Sequence, residues 1–228
     1  MNDPIQTCVV IPAYNEAPAI GKVLAELCPY AYDVVVIDDG STDGTLNEAC
    51  AFPVTILHHT INLGQGAALH SGITFALKNP AIQTIVTFDA DGQHDPANIA
   101  RLIGALEGGF EVALGSRFMQ GGQAVRIPTL KRLTLSLAIR ITRRMTGLPL
   151  TDTHNGLRAF RREAAARIEI HQNGMAHASE ILSQIARLHV RYCEVPVTVR
   201  YTEYSLHKGQ SVLNSFNILW EIIGGKMR

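Results

Sequence analysis

The sequence predicts an α/β protein, a mostly parallel central sheet flanked by helices in a single domain, on three observations. Apolar β-branched runs alternate with segments of helical periodicity over the first 115 residues, the pattern of βαβ crossovers. Several of those runs stop at a polar cluster, as strands do where they open on a ligand-binding rim. The 228 residues are 46% hydrophobic and 18% charged, enough for one substantial core and too few charges for a disordered chain.

The elements follow in order. Residues 7–11 form a β-branched run ended by Pro12, read as a buried strand and a loop. Ile20, Val23, Leu24 and Leu27 then recur at helical spacing, with Pro18 tolerated in the first turn. A second buried strand at 33–37 stops at Asp38, Asp39, Gly40 and Ser41, and a short helix starts near Thr42. Strand 54–57 precedes a helix carrying Leu69, Ile73, Ala76 and Leu77, and strand 84–88 ends on Asp89. Asp95 and Pro96 give an N-cap and a first-turn proline to a helix with Ile99, Leu102, Ile103 and Leu106, before strand 111–114.

Beyond Gly121 and Gly122 the pattern loosens. A helix at 130–145 mixes Lys131, Arg132, Arg140, Arg143 and Arg144 with leucines and isoleucines. Ile181, Leu182, Ile185 and Leu188 mark another helix, and Val195, Val197 and Val199 alternate as one strand. The apolar tail at 212–223, with Trp220, reads as a core or dimer helix, which leaves a homo-oligomer open.

Twenty Lys+Arg balance twenty Asp+Glu, so no net positive field favours nucleic acid as a partner. Four cysteines without a Cys-x-x-Cys pair indicate neither a zinc knuckle nor a disulfide framework, and a reducing cytoplasm fits best. The start lacks a basic, apolar leader, and no window reaches the roughly 18–20 apolar residues of a spanning helix, so the chain is not expected to cross a membrane.

Tyr14–Asn15–Glu16, Asp38–Asp39–Gly40–Ser41 and Asp89–Ala90–Asp91 all fall at predicted strand ends and should converge on one rim. Asp89 and Asp91, two apart, can aim both carboxylates at one side and hold a hard divalent cation, magnesium or manganese, with Gln93 or His94 completing the shell. A plain helix-capping role for them is weakened because Asp95 supplies that cap. The segment from Asp38 to Gly44 reads equally as a turn, yet on this rim a carboxylate there can accept from a base N–H or a ribose hydroxyl. Gly64 and Gly66 begin like a dinucleotide fingerprint, but Leu69 stands where its third glycine belongs, so no nicotinamide cofactor is expected. His58, His59 and His70 lack ligand-like spacing and read as structural.

In order along the chain, Pro12–Ala13–Tyr14–Asn15–Glu16, Asp38–Asp39–Gly40–Ser41, Asn62–Leu63–Gly64–Gln65–Gly66, Asp89–Ala90–Asp91–Gly92–Gln93–His94 and Gly115–Ser116–Arg117–Phe118 resemble the motifs of family-two glycosyltransferases with the GT-A fold. Within that family the chain looks most like the dolichyl- or polyprenyl-phosphate mannosyl- and glucosyltransferases. The resemblance implies a nucleotide-sugar-binding half at 1–118 and an acceptor-binding half at 119–228. It implies that Pro12, Tyr14, Glu16 and Gly64 line the nucleotide pocket, that Asp39 reads the base, and that Asp89, Asp91 and Gln93 bind the metal. Arg117 would face the acceptor phosphate. Asp152–Thr153–His154–Asn155–Gly156–Leu157–Arg158 is similar to the family's Asp-x-Thr-Ser-Gly-Phe-Arg stretch, departing from it at His154, Asn155 and Leu157.

The implied reaction is an inverting transfer of a hexose from a GDP- or UDP-sugar to a polyprenyl phosphate, with Mg2+ or Mn2+ offsetting the charge that builds on the leaving diphosphate. A lipid phosphate is already anionic and needs cations more than a base. Arg132, with Lys131 as alternative, and Ser136 are the expected phosphate contacts on the basic helix, which otherwise reads as an ordinary amphipathic surface helix. Lys208 is the expected diphosphate contact in a closing loop that has Leu206 in place of an arginine. The basic, leucine-rich helix suits peripheral contact with the cytoplasmic membrane face, and a separate membrane-protein partner is a further expectation. Two alternatives stay open: transfer to a saccharide hydroxyl in polysaccharide assembly with Asp152 as base, and a non-catalytic nucleotide-sugar-binding subunit.

Overall fold

A computed structural model describes residues 6–205; Lys208, Leu206 and the 212–223 tail lie outside them. Strand β1 (Thr7–Ala13) is followed by α1 (Ala17–Leu27), β2 (Asp33–Asp38), α2 (Thr45–Cys50), β3 (Thr55–His58), α3 (Gln65–Leu77), β4 (Thr84–Thr87), α4 (Ala97–Glu107) and β5 (Val112–Ser116). The second half carries β6 (Gln123–Val125), α5 (Thr129–Thr146), β7 (Arg158–Arg161), α6 (Arg162–Arg167), α7 (His177–Arg187), β8 (Tyr192–Pro196) and β9 (Thr198–Arg200). Seven strands form one sheet in the order β3-β2-β1-β4-β7-β5-β8, and β6 pairs with β9 in a small second sheet.

The sheet is buried on both faces, which is why its strands read as continuous apolar runs instead of alternating ones. Cys8 and Val10 of β1 pack with Leu69, Ile73, Ile181 and Ile185 on one side. Val9 and Ile11 pack with Ile20, Leu24, Ile99 and Leu102 on the other. Ile20, Val23, Leu24 and Leu27 form the buried stripe of α1 at the predicted spacing. Each such fully buried aliphatic side chain contributes roughly 1.5–3 kcal/mol.

Pro12 lies inside β1, not after it. Ala13 O accepts from Asp39 N on the β2 side, so the nitrogen of Pro12 faces the opposite side. There the pairing with β4 already ends at Val10 with Thr87, and the missing N–H breaks no ladder bond.

β7, which the sequence does not predict, runs antiparallel between β4 and β5 and is the one exception in the mostly parallel sheet. Two other expectations are corrected. The single strand through Val195, Val197 and Val199 is two: β8 follows β5 as far as Pro196, and β9 then pairs with β6. Helix α2 starts at Thr45 because Asp43 turns back to accept from the Thr45 N–H and hydroxyl.

Candidate active site

The carboxyl ends of β1, β2 and β4 do meet on one rim, and the loops after them interlock. Asn15 N donates to Ser41 Oγ at 3.0 Å, and Thr42 N returns a bond to Asn15 Oδ1 at 2.9 Å. Gln65 Nε2, from the first turn of α3, reaches Asp89 Oδ1 at 3.3 Å. Pro12 is buried, Tyr14 is exposed beside it, and Glu16 is buried and accepts from Tyr204 Oη at 2.7 Å.

Asp39 anchors this rim. Its carboxylate accepts from Leu63 N and Gly64 N, and His59 Nδ1 lies 2.7 Å away while His59 Nε2 meets Ser71 Oγ. The structure therefore shows Asp39 bracing the 63–64 turn. Gly64 holds φ at +103°, and a Cβ there would stand 2.3 Å from Asn173 O, so this position demands glycine for close approach.

Asp89 and Asp91 follow the end of β4 and are both half-buried. His94 Nε2 lies 3.0 Å from Asp89 Oδ2, and Gln93 N donates to Asp91 Oδ1 at 3.0 Å. Burial and the adjacent Asp89 charge push Asp91 up to about 6. Burial also opposes the charge on Asp89, but the His94 bond and the fields of His94, His177 and Arg117 outweigh it and lower its value. Two carboxylates that repel in this way are a hard-cation donor set with open positions, and Mg2+ or Mn2+ fits it. Among the described residues no third acidic, histidine or cysteine ligand joins them. Gly156 makes room for the site: a Cβ would fall 2.2 Å from Asp89 Oδ2. Gly156→Ala is expected to displace that carboxylate and weaken Mn2+-dependent nucleotide binding at least about tenfold, read by calorimetry.

Arg117, at the end of β5, is buried and fully committed. Its Nε and Nη2 bind Asp152 at 2.6 and 3.4 Å, its Nη1 donates to Tyr201 Oη at 2.6 Å, and Nη2 also reaches His154 O. Burial opposes its charge, but Asp152 and Tyr201 hold the guanidinium firmly protonated. Asp152 in turn accepts from Arg117 N and His154 N, so its carboxylate is an ion-pair partner with little freedom to act as a base. Glu194 on β8 fixes this loop by accepting from Thr151 N, Thr151 Oγ1 and Asp152 N. Glu194 escapes sequence reasoning because its partners lie more than forty positions away.

Helix α5 flanks this ion pair. A groove of about 530 Å³ is lined by Arg117, Arg132, Ser136, Ile139, Arg140 and Arg143, among others. Lys131 turns inward, its Nζ 4.9 Å from the centre of the Tyr201 ring, and burial and the Arg117 charge lower its pKa. Arg132 therefore lines the groove, while Lys131 packs against the Tyr201 ring beside the Arg117 ion pair. Leu130, Leu133 and Leu137 are exposed on the same helix. Among the described residues no helix is long and apolar enough to cross a membrane.

A doubly wound sheet with paired carboxylates on its rim and a basic groove beside them defines a glycosyltransferase of the GT-A fold. The chain matches Glycosyl transferase family 2 over residues 8–169 and belongs to that family. It is 34% identical, over 93% of its length and 83% of the relative's, to polyprenol monophosphomannose synthase of Mycolicibacterium smegmatis. It is 32% identical, over 96% and 95%, to the UDP-N-acetylglucosamine–dolichyl-phosphate N-acetylglucosaminyltransferase of Methanococcus voltae. Its fold matches that of Mycobacterium tuberculosis glucosyl-3-phosphoglycerate synthase, crystallised with Mn2+, UDP and glucosyl-3-phosphoglycerate, with a TM-score of 0.70 at 18% identity over 94% of this chain and 77% of that one.

Proposed function

We propose that this glycosyltransferase moves a hexose from a GDP- or UDP-sugar to a polyprenyl phosphate, with inversion, at the cytoplasmic face of a membrane. The groove along α5 carries the reading: four arginines and Ser136 line it beside the exposed leucines Leu130, Leu133 and Leu137. That pattern suits an anionic headgroup on an apolar chain. The two relatives named for polyprenol and dolichyl phosphate support it.

In this mechanism Asp89, Asp91 and Gln93 hold the divalent cation, which when bound offsets the negative charge of the departing diphosphate. Pro12, Tyr14, Glu16 and Gly64 shape the nucleotide pocket, Asp39 reads the nucleobase, and Lys208 serves as a diphosphate contact. Lys131, Arg132 and Ser136 orient the acceptor phosphate, and Arg117 fixes the wall against which it sits. A phosphate oxygen forms the new bond to the anomeric carbon as the bond to the diphosphate breaks, and the electron pair leaves with the nucleotide. No protein base is required, which agrees with the engagement of Asp152 by Arg117.

Incubation with a nucleotide-sugar panel and either polyprenyl phosphate or an oligosaccharide tests this. Product is expected from the lipid phosphate alone, and Arg132→Ala should raise KM for it about tenfold. Product from the oligosaccharide alone would refute the acceptor assignment.

The cation assignment has a pH signature. A raised folded value means that the Asp91 contribution to stability is present below about pH 4, the unfolded value, and is lost as pH rises through about 6. The lowered value of Asp89 contributes stability that is present above about pH 4 and is lost only as pH falls below it. A cation displaces the Asp91 proton, so the increase in Tm produced by Mn2+ is expected to grow between about pH 5 and pH 7. An increment that stays flat would count against cation binding at Asp91.

A further inference from the structure

Beside Asp89, which lines it, lies a partly open chamber of about 80 Å³ whose walls also include Gln65, His154, Asn155, Arg158 and His177. It is far smaller than the roughly 300 Å³ at which drug-sized pockets begin, so it admits one edge of a pyranose and not a nucleotide. Two polar atoms of these lining residues, His154 Nε2 and Asn155 Nδ2, are buried without a hydrogen-bond partner. Asn155 is 3% exposed, and its Oδ1 accepts from Leu157 N at 3.0 Å. That bond sets the orientation of the amide and leaves Nδ2 as an unused donor. His177 Nδ1 faces Gly174 O at 2.8 Å. A carbonyl only accepts, so Nδ1 carries the proton and Nε2 is an acceptor.

Arg158 is not a spare cation in this wall, because its guanidinium donates to the carbonyls of Asn155, Ala178 and Thr153. Burial pushes both His154 and His177 down to about 4, so the rings are neutral at pH 7. Neutral donors and acceptors in one small chamber match hydroxyl groups, which do both at once. A carboxylate would meet the charge of Asp89. His154 and Asn155 are also two of the positions at which the chain departs from the stretch it resembles.

We propose that this chamber receives the edge of the transferred sugar, and that His154 and Asn155 determine specificity by hydrogen-bonding its hydroxyl groups. The proposal rests on the nucleotide-sugar reading above and names the part of the donor that the chamber reads.

The test compares kcat/KM for the donor that turns over among UDP-glucose, GDP-mannose and UDP-N-acetylglucosamine with kcat/KM for its monodeoxy analogues, using polyprenyl phosphate and Mn2+. For at least one hydroxyl position, His154→Phe and Asn155→Ala should each cut the discrimination ratio about ten- to hundredfold. Calorimetry with the corresponding nucleoside diphosphate and Mn2+ should give a Kd within about threefold of wild type, since that ligand lacks the sugar. Unchanged ratios with parent and analogues slowed equally, or equal loss of nucleoside diphosphate binding, would overturn the proposal. If Asn155→Ala does not fold, His154→Phe decides, because it keeps a ring at a half-buried position. A wild-type protein that binds no nucleoside diphosphate would instead overturn the functional reading, and this inference with it.

Discussion

Asp91→Ala is expected to lower kcat by at least about 10²–10³-fold without loss of the folded state. The carboxylate sits half-buried at the rim beside Asp89, whose charge helps push it up to about 6. Its removal relieves a repulsion in the unliganded protein, so Tm should hold or rise slightly. The same change removes the cation's stabilisation, and the Tm increase with Mn2+ should vanish. Steady-state assays and thermal unfolding with and without Mn2+ read both effects. Full activity in this variant would refute the metal assignment; wild-type donor binding without turnover would favour a non-catalytic subunit.

Arg117→Met should destabilise the fold by roughly 3–5 kcal/mol, the cost of leaving one member of a buried ion pair uncompensated. Asp152 would lose its partner in a setting where the two side chains are 5% and 1% exposed, and Tyr201 Oη would lose its donor. Arg117→Met combined with Asp152→Leu is expected to regain much of that stability, because replacing both charges with apolar groups removes the unpaired charge. Activity should stay lost in the double variant. Urea unfolding together with acceptor kinetics distinguishes the outcomes, and a double variant no more stable than the single would contradict the pairing.

The parallel half of the sheet was legible because its strands are buried on both faces and so appear as unbroken apolar runs. β7 was not. It holds only Ala159 and Phe160 between Arg158 and Arg161, yet it lies in the middle of the sheet. The arginines are tolerated because their guanidinium groups are absorbed by carbonyls, those of Arg161 by Phe110 and Leu106. Val195, Val197 and Val199 are all buried as the alternation predicts, but periodicity does not reveal that the chain changes partners after Pro196.

The same contrast holds in the site. Asp89 and Asp91 could be found because two carboxylates at a strand end are a local pattern. The Arg117–Asp152 pair, the Glu194 clamp and the chamber at His154 and Asn155 depend on contacts between distant segments. His59 braces Asp39, and its link to Ser71 on α3 has no local signature.

The position of β7 also bears on dissection of the molecule. A fragment ending at residue 118 would keep β4 and β5 but lose the strand hydrogen-bonded between them. The facing edge of β4 and both edges of β5, which also loses β8, would face solvent, each a template for adventitious strand addition. Such a fragment is expected to aggregate when expressed alone, whereas coexpression with residues 119–228 should restore solubility by threading the missing strand into the gap.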